Sequence, residues 1–510
     1  MCSSQALSGI SLFGAEIISF SATQVSNYSI SIAQGDSHFA TNITDITFCD
    51  VSVTYTHPGQ NDTINLQVWL PSHNWNGRFI GTGGGGYAAG YFNTSLGFEV
   101  ARGYAAASTN AGHDLDELTA EGWALLSPGN VNMYLLQDFA TVSLNDMAVM
   151  GKAIAENYYG TAPKYSYWNG CSNGGRQGVT MAQRYPTQYN GILAAAPAVN
   201  WGSLLPALYY PQVVMNNLAS SPQQCELEAL TAAATQTCDG LDGVIDGIIS
   251  IPWLCNFDPD AMLGTEISCS GNSHRISQEA ITVAKATWTG PRNTDGSFLW
   301  YGLNYDAPLS SLANTTCSAN GICTGAPFTI SSDWIRLFVL KDPGFNISTI
   351  TQLQFEEAFS SSNQQYNSII GIVDPDLSQF RNAGGKMLTW HGLADNIIPP
   401  QGTANYYERV ASLDPSVGNY YRHFQAPGVQ HCAGGLGAYP WNAFDSLVAW
   451  VENGTAPITL DGVSLPVNGT VSRQNLCLYP LVSKYTHGDP TLATSYECVS
   501  PLMARTKAMW

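Results

Sequence analysis

Charge is what this sequence has least of. Charged residues make up 11% of its 510 positions, and only 19 are Lys or Arg against 38 Asp or Glu, giving a net charge of −19. With no cluster of basic residues anywhere, nucleic acid is excluded as a partner, because binding phosphate requires grouped Lys and Arg. No apolar run is long enough to cross a bilayer, so no membrane partner is expected either. Cys-x-x-Cys pairs and closely spaced histidine pairs are missing, which leaves zinc without a site. The opening Met1-Cys2-Ser3-Ser4 has neither a basic stretch nor an apolar one after it. That start is read as a mature form with its signal removed, or a trimmed form. Internal repeats and low-complexity linkers are lacking too.

What is present suits an extracellular enzyme. The hydrophobic share of 45% supplies a sizeable core, and Gly, Asn, Ser, Thr and Tyr are plentiful. The cysteines number 12, an even count that favours disulfides and hence an oxidising compartment. Glycosylation sequons begin at Asn27, Asn42, Asn61, Asn93, Asn314, Asn346, Asn453 and Asn468. A secreted glycoprotein is expected. Oligomeric state cannot be read from these features.

Along the chain, the first fifty residues read as short strands, with Cys2 and Cys49 near either end. Thr63 to Pro71 begins with the alternation of a half-buried strand, and Arg78-Phe79-Ile80 leads into a glycine run from Gly81 to Gly86. Gly103 to Thr109 reads as another buried strand, and Val142 to Tyr159 as a helix. Tyr165 to Asn169 then forms a strand, Gly170 to Arg176 turns into a helix reaching about Tyr185, and Gly191 to Ala196 is strand again. This is the alternation of a parallel sheet. From about Trp201 to Phe380 the alternation fails, and it resumes with the strand Gly385 to Trp390 and a helix at Phe444 to Val451. The expected fold is therefore α/β, an α/β-hydrolase sheet with a large inserted lid domain. Residues 1–200 and 381–510 form the two parts of the hydrolase domain, and 201–380 form the lid.

Gly170-Cys171-Ser172-Asn173-Gly174 fits G-x-S-x-G, the turn that lifts a nucleophilic serine between strand and helix. Its alternative is an ordinary glycine-rich turn, but the strand before and helix after favour the elbow. A hydroxyl nucleophile needs a base, and the base an orienting acid, in the chain order Ser, Asp or Glu, His. Asp395 follows the strand that ends at Trp390, and His431 lies in the later loop Gly428 to Gly435. Ser172 as nucleophile, Asp395 as acid and His431 as base satisfy that order. His38, His57, His73, His274, His391, His423 and His487 are better read as surface or structural residues, while His113 is a candidate for the floor of the site. Oxyanion donors are expected at the backbone N–H of Asn173 and in the glycine loop at Gly85 and Gly86, each worth roughly 3–4 kcal/mol in the transition state. A flexible hairpin is the alternative for that loop.

Cys171 and Cys432 each adjoin a proposed catalytic residue, so a bridge between them would tie nucleophile to base; pairing elsewhere is the alternative. Cys238 to Ile248 places Asp239, Asp242 and Asp246 among glycines. Those hard oxygen ligands, with the carbonyls of Val244 and Ile248, suit Ca²⁺, and a metal-free acidic turn is the other reading.

Together these stretches resemble the fungal tannase and feruloyl esterase family. The likeness runs through Val53 to Gly59, Gly170 to Gly178, Cys238 to Cys255, His391 to Asp395, His431-Cys432, and the tail with Cys477 and Cys498. It implies the triad Ser172, Asp395 and His431, a Cys171–Cys432 bridge beside it, and a structural calcium in the lid on the loop just described. It also implies Cys238–Cys255 and Cys477–Cys498 bridges. Cys2–Cys49, Cys225–Cys269 and Cys317–Cys323 then use up the rest. Some tannases carry a dibasic processing site in the lid, and no Lys-Arg or Arg-Arg pair occurs here. The implied activity is serine carboxylic ester hydrolysis of phenolic acid esters, galloyl esters of plant polyphenols or feruloyl esters of cell walls. Trp201, Tyr209 and Tyr210 are candidates for the acid pocket. The alternatives are a non-catalytic, calcium-stabilised binding protein of the same fold, or an esterase for other aromatic esters.

Overall fold

The computed structural model describes residues 2–501 except 6, 8, 36, 37, 319, 320 and 468, so the sequon at Asn468 lies outside the described residues. Nine strands form one sheet: β1 (Glu16–Ile32), β2 (Thr41–Thr56), β3 (Ile64–Pro71), β4 (Arg78–Thr82), β5 (Ala105–Thr109), β6 (Tyr165–Cys171), β7 (Gly191–Ala195), β8 (Lys386–Gly392) and β9 (Tyr421–Ala426). They lie in the order β1-β2-β3-β5-β4-β6-β7-β8-β9. The first four in that order pair antiparallel, and from β5 to β9 every pairing is parallel. Central strands such as β5 and β7 are buried along their whole length, and they read as continuous apolar runs because helices cover both faces of the parallel part.

The N-terminal region differs from the expected short strands. It is one long hairpin, with strands of 17 and 16 residues. Register shifts at Ile17/Ser19, Val25/Tyr28 and Tyr28/Ile30 interrupt the pairing. Each bulge resets the two-residue alternation, so the sequence reads as broken pieces.

The helices that frame the site are α1 (Asn93–Ala101), α2 (Ser143–Tyr159) and α3 (Asn173–Arg184). Between the adjacent parallel strands β7 and β8 the chain leaves the sheet and builds a mainly helical layer. Its main members are α4 (Trp201–Leu218), α5 (Gln224–Cys238), α6 (Gln278–Thr289) and α7 (Gln352–Tyr366), and two further helices, α8 (Pro400–Leu413) and α9 (Ala443–Asn453), return to the sheet. The inserted layer has an apolar core around Trp201, Leu205, Val213, Trp334 and Phe338, continuous with Tyr87, Trp123 and Phe139 beneath it. Two other apolar clusters occupy the two sides of the sheet. This layer therefore sits over the ends of the parallel strands from which the candidate residues emerge.

Candidate active site

Ser172 caps α3 directly after β6, with φ 63° and ψ −122°. A non-glycine residue is rarely held there, and such strain is what projects a serine out of a strand-to-helix turn. Packing explains the flanking glycines. A Cβ at Gly170 would lie 2.7 Å from the carbonyl carbon of Gly174, and one at Gly174 would lie 2.9 Å from the Gly84 oxygen. The Gly174 amide donates to that same oxygen at 2.8 Å, locking the glycine loop after β4 onto the first turn of α3. From behind, the buried Arg176 Nε donates to Asn173 Oδ1 at 2.7 Å, and its terminal nitrogens donate to the Ala140 and Phe139 carbonyls at 2.8 and 3.2 Å.

Asp395 follows β8 and is fully buried. Its Oδ1 accepts the amides of Ile397 at 2.9 Å and Ile398 at 2.8 Å. Its Oδ2 accepts Nδ1–H of His431 at 2.8 Å and Nε2–H of His391 at 2.9 Å. Burial alone would raise this carboxyl, but the His431 charge and hydrogen bonds from both imidazoles outweigh it. Asp395 is held well below the usual carboxylate range. With His431 Nδ1 donating, its Nε2 is left as the acceptor, the form a general base needs.

His431 sits in the loop after β9, where Val429 bridges Gly435 and the Gln430 amide donates to the Gly434 carbonyl at 3.2 Å. His431 and Ser172 line one cavity of about 300 Å³, and Cys171 and Cys432, their neighbours in sequence, form a disulfide with Cα atoms 5.9 Å apart. The other five expected pairs are formed as well, Cys238–Cys255 and Cys477–Cys498 implied by the resemblance and Cys2–Cys49, Cys225–Cys269 and Cys317–Cys323 that used up the rest.

Gly85, Gly86 and Asn173 line the same cavity. The amides of Gly83 and Gly84 are engaged, by the Asn169 carbonyl at 3.0 Å and Gln177 Oε1 at 3.2 Å. Among the described residues, no acceptor takes the amides of Gly85 and Gly86. Apart from Tyr91 and Glu117, the rest of the cavity is mostly hydrocarbon supplied largely by the inserted layer, including Trp201, Leu204, Leu205, Leu208, Phe328 and Ile330. Of the aromatics named from the sequence, Trp201 reaches this cavity. Tyr209 is instead packed in the core of the layer with its hydroxyl on the Ile347 carbonyl at 3.1 Å, and Tyr210 packs on Phe355 at 5.4 Å. His113 is buried off the cavity, stacked on Trp123 at 4.4 Å, and burial lowers it to about 4.

His391 is the residue that sequence reasoning set aside, and it touches Asp395, the candidate acid, directly. Its Nδ1 accepts from Thr403 Oγ1 at 2.8 Å, which fixes the ring with Nε2–H toward Asp395. No spacing or periodicity singled it out, because it lies inside β8 like any strand residue.

Within the inserted layer, Asp239 and Asp242 are buried on one loop with Asp246 at its surface. Asp239 accepts the amides of Asp246 at 3.0 Å and Gly247 at 2.9 Å, and Asp242 accepts that of Val244 at 3.0 Å. Burial, and further down Asp239, raise the Asp242 carboxyl above its ordinary value. Among the described residues none of the three pairs with a basic side chain. Hard oxygen donors of uncompensated negative charge fit Ca²⁺. Their oxygens are spread more widely than those of a second group, His57, Asp62 and Asp138, whose ligand atoms all lie within 4.8 Å of one another.

A family model described as tannase and feruloyl esterase matches residues 49–499. A probable feruloyl esterase of Arthroderma benhamiae is 44% identical over 463 residues, covering 89% of this chain and 86% of that protein. Feruloyl esterase B of Aspergillus niger is 32% identical, with 85% and 83% covered. Among solved structures, a tannin acyl hydrolase from Aspergillus niger superposes with a TM-score of 0.89 at 27% identity, covering 99% of this chain and 96% of that one. Feruloyl esterase B from Aspergillus oryzae gives a TM-score of 0.80 at 28% identity, with 96% and 98% covered.

Proposed function

The chain belongs to the tannase and feruloyl esterase family and hydrolyses phenolic acid esters, and we propose that it does so through Ser172, His431 and Asp395. Ser172 Oγ attacks the ester carbonyl while His431 Nε2 takes its proton. The carbonyl oxygen becomes an oxyanion facing the amides of Asn173, Gly85 and Gly86. Collapse breaks the carbon–oxygen bond to the alcohol, whose oxygen receives the proton from His431, and the acyl group stays on Ser172. Water, deprotonated by His431, then attacks the acyl carbon and restores the serine. Asp395 remains ionised throughout and holds the imidazole in its Nδ1–H form.

The observation that carries this reading is the 2.8 Å contact from His431 to Asp395 in a cavity shared with Ser172. Ser172→Ala tests it: we expect kcat on methyl ferulate to fall at least about 1000-fold with the melting temperature unchanged. Parent-like turnover would sink the assignment.

For the acid half, the reading is feruloyl rather than galloyl. A galloyl ring carries three hydroxyls that need partners, and in a cavity walled mainly by Trp201, Leu204, Leu208 and Phe328 the polar side chains beyond Ser172, Asn173 and His431 are Tyr91 and Glu117, fewer partners than that ring asks for. The relative at 44% identity is named a probable feruloyl esterase, in keeping with this. The tannin acyl hydrolase likeness favours the galloyl alternative. Methyl ferulate and methyl gallate compared by kcat/KM decide between them.

Two further expectations complete the proposal. Asp239, Asp242 and Asp246, with the Val244 and Ile248 carbonyls, would hold a Ca²⁺ that neutralises the loop and takes no part in the reaction. Secretion is in keeping with the disulfides, and no helix among the described residues is long and apolar enough to cross a membrane.

A further inference from the structure

A separate cavity, of about 400 Å³, lies where the inserted layer meets the chain that follows β8. That volume is within the range of small-ligand pockets. Among the described residues, none lines both this cavity and the one that holds Ser172 and His431. The inserted layer supplies one wall, with Trp253, Trp288, Tyr301 and Tyr305. Asn405 and Glu408 of α8 and Gln425 of β9 belong to the other.

Its aromatic wall is presented rather than packed away. Trp253 is 42% exposed and, among the described residues, stacks on no other ring. It sits on the single turn Pro252–Leu254, next to the Cys238–Cys255 bridge that ties this turn to the end of α5. Behind it, Trp288 and Tyr305 pack on each other at 5.0 Å. An open indole face on a tethered turn takes a flat apolar surface with little freedom to lose. The polar groups are equally available. Among the described residues, the side chains of Asn405, Gln425, Tyr301 and Tyr305 make no hydrogen bond to the protein, leaving two amides and two hydroxyls for a ligand. Glu408 is the one charged side chain in the wall, and its Oε1 already accepts the Tyr479 hydroxyl at 2.5 Å.

We propose that this cavity is a non-catalytic site for a neutral saccharide, with the C–H face of a sugar ring on Trp253 and its hydroxyls on the Asn405 and Gln425 amides. A sugar ring has an apolar face and a rim of hydroxyls that both give and accept hydrogen bonds. An amide does the same, so the two match without charge. A purely hydrocarbon ligand leaves the amides and phenols unmet. An anion, such as the phenolic acid released from an ester, would meet Glu408, no Lys or Arg, and a chain of net charge −19. A polysaccharide held here leaves the Ser172 cavity free to take an ester from the same polymer, which raises the effective concentration of that ester. The inserted layer thus has two roles, closing over the candidate nucleophile and anchoring the protein to a polymer.

The test titrates xylohexaose, a neutral oligosaccharide with no ester, into the parent protein by calorimetry. Because nothing is hydrolysed, the outcome is independent of the nucleophile assignment. Saturable binding is expected, and Trp253→Ala is expected to weaken it at least about tenfold through loss of the stacking face. Asn405→Ala and Tyr305→Phe, which trim an amide and a hydroxyl, are each expected to weaken it about fivefold, the worth of one hydrogen bond. All three variants keep kcat/KM on methyl ferulate within twofold. Saturating ferulate, an anion directed to the Ser172 cavity, leaves the xylohexaose isotherm unchanged. No saturable binding by the parent, or binding unaltered in the three variants, overturns the inference. Displacement by ferulate overturns it as well, as does a loss of methyl ferulate turnover parallel to the loss of binding in Asn405→Ala and Tyr305→Phe proteins that melt like the parent. Either result would put the saccharide in the Ser172 cavity.

Discussion

At Asp395 two histidines donate to one carboxylate oxygen, and two amides hold the other. That arrangement keeps the acid ionised. Because its folded value lies below the ordinary 3.8, its stabilising contribution is complete above that ordinary value and is lost as pH falls through the folded one. Acid inactivation at pH 5 to 6 is therefore not expected to arise from this group. His391 is a positioning residue, since it touches Asp395 rather than substrate. Replacing it with Phe leaves Oδ2 bound by His431 alone and free to swing. We expect kcat on methyl ferulate to fall about tenfold with KM little changed, and stability to fall by about 1–3 kcal/mol for a buried acceptor left short of a donor. A His391→Gln variant that restores a donor recovers part of kcat. If KM carries the whole effect, His391 is not acting through the acid. The proposed serine, acid and base could be named from the chain because each follows a strand in an order this fold imposes. His391 could not, because a histidine inside a strand looks the same whether its ring meets apolar packing or a carboxylate.

Elements that are assembled from separate segments show what local pattern leaves out. Helix α4 contains Pro206 and Pro211, which break the helical reading of its sequence although packing in the inserted layer keeps it continuous over 18 residues. The buried group around His57 is a stronger case. His57 directly follows β2 and meets Asp62 at 2.6 Å before β3, Asp146 of α2 at 3.2 Å, and Asp138 of the π-helix Asp138–Val142 at 3.8 Å, while the Tyr55 hydroxyl donates to Asp146 at 3.2 Å. Burial, then the charge of Asp62, pushes Asp138 up to about 8, and burial pushes Asp146 up to about 6. A raised folded value contributes stability that is complete below the ordinary carboxylate value and is lost as pH rises toward the folded one. The melting temperature is therefore expected to decline from pH 5 to pH 8, and Asp138→Asn, which keeps the shape without the charge, to flatten that decline. Parallel profiles for parent and variant would assign the slope elsewhere. The loop proposed to hold calcium belongs at this scale too. A Cβ at Gly428 would meet Ile248 Cγ1 at 2.7 Å, so the loop lies against the base of the segment carrying His431. With free Ca²⁺ about a hundredfold above its dissociation constant, chelation is expected to cost about 2.7 kcal/mol of stability. Asp242→Ala would then be insensitive to added Ca²⁺ in a melting experiment. A parent whose melting is unmoved by chelator would remove the metal from the account.

For the molecule as a whole, the decisive architecture is a sheet interrupted between β7 and β8 by a layer that closes over the strand ends. The interruption was legible because the strand–helix alternation stops and later resumes. What the layer encloses was not legible, since Trp201 and Tyr209 look equally suited to a pocket until packing turns one inward to the core. The proposed nucleophile and base come from opposite sides of that interruption, and the Cys171–Cys432 bridge spans 261 residues to join their neighbours. In the chain-entropy view a loop that long stabilises by on the order of 5 kcal/mol. The bridge also fixes the His431 loop to the end of β6, so its loss acts on geometry as well as on stability. Replacing both cysteines by Ala is expected to lower the melting temperature and, below that temperature, to lower kcat at least tenfold as the base drifts from Ser172. Removing Cys2–Cys49, which spans 47 residues and joins the N-terminal segment to β2 without touching the His431 loop's own bridge, gives the contrast. That variant loses stability while kcat on methyl ferulate holds. If both variants retain parent kcat once folded, the inserted layer and sheet align the relay unaided, and the bridge serves stability alone.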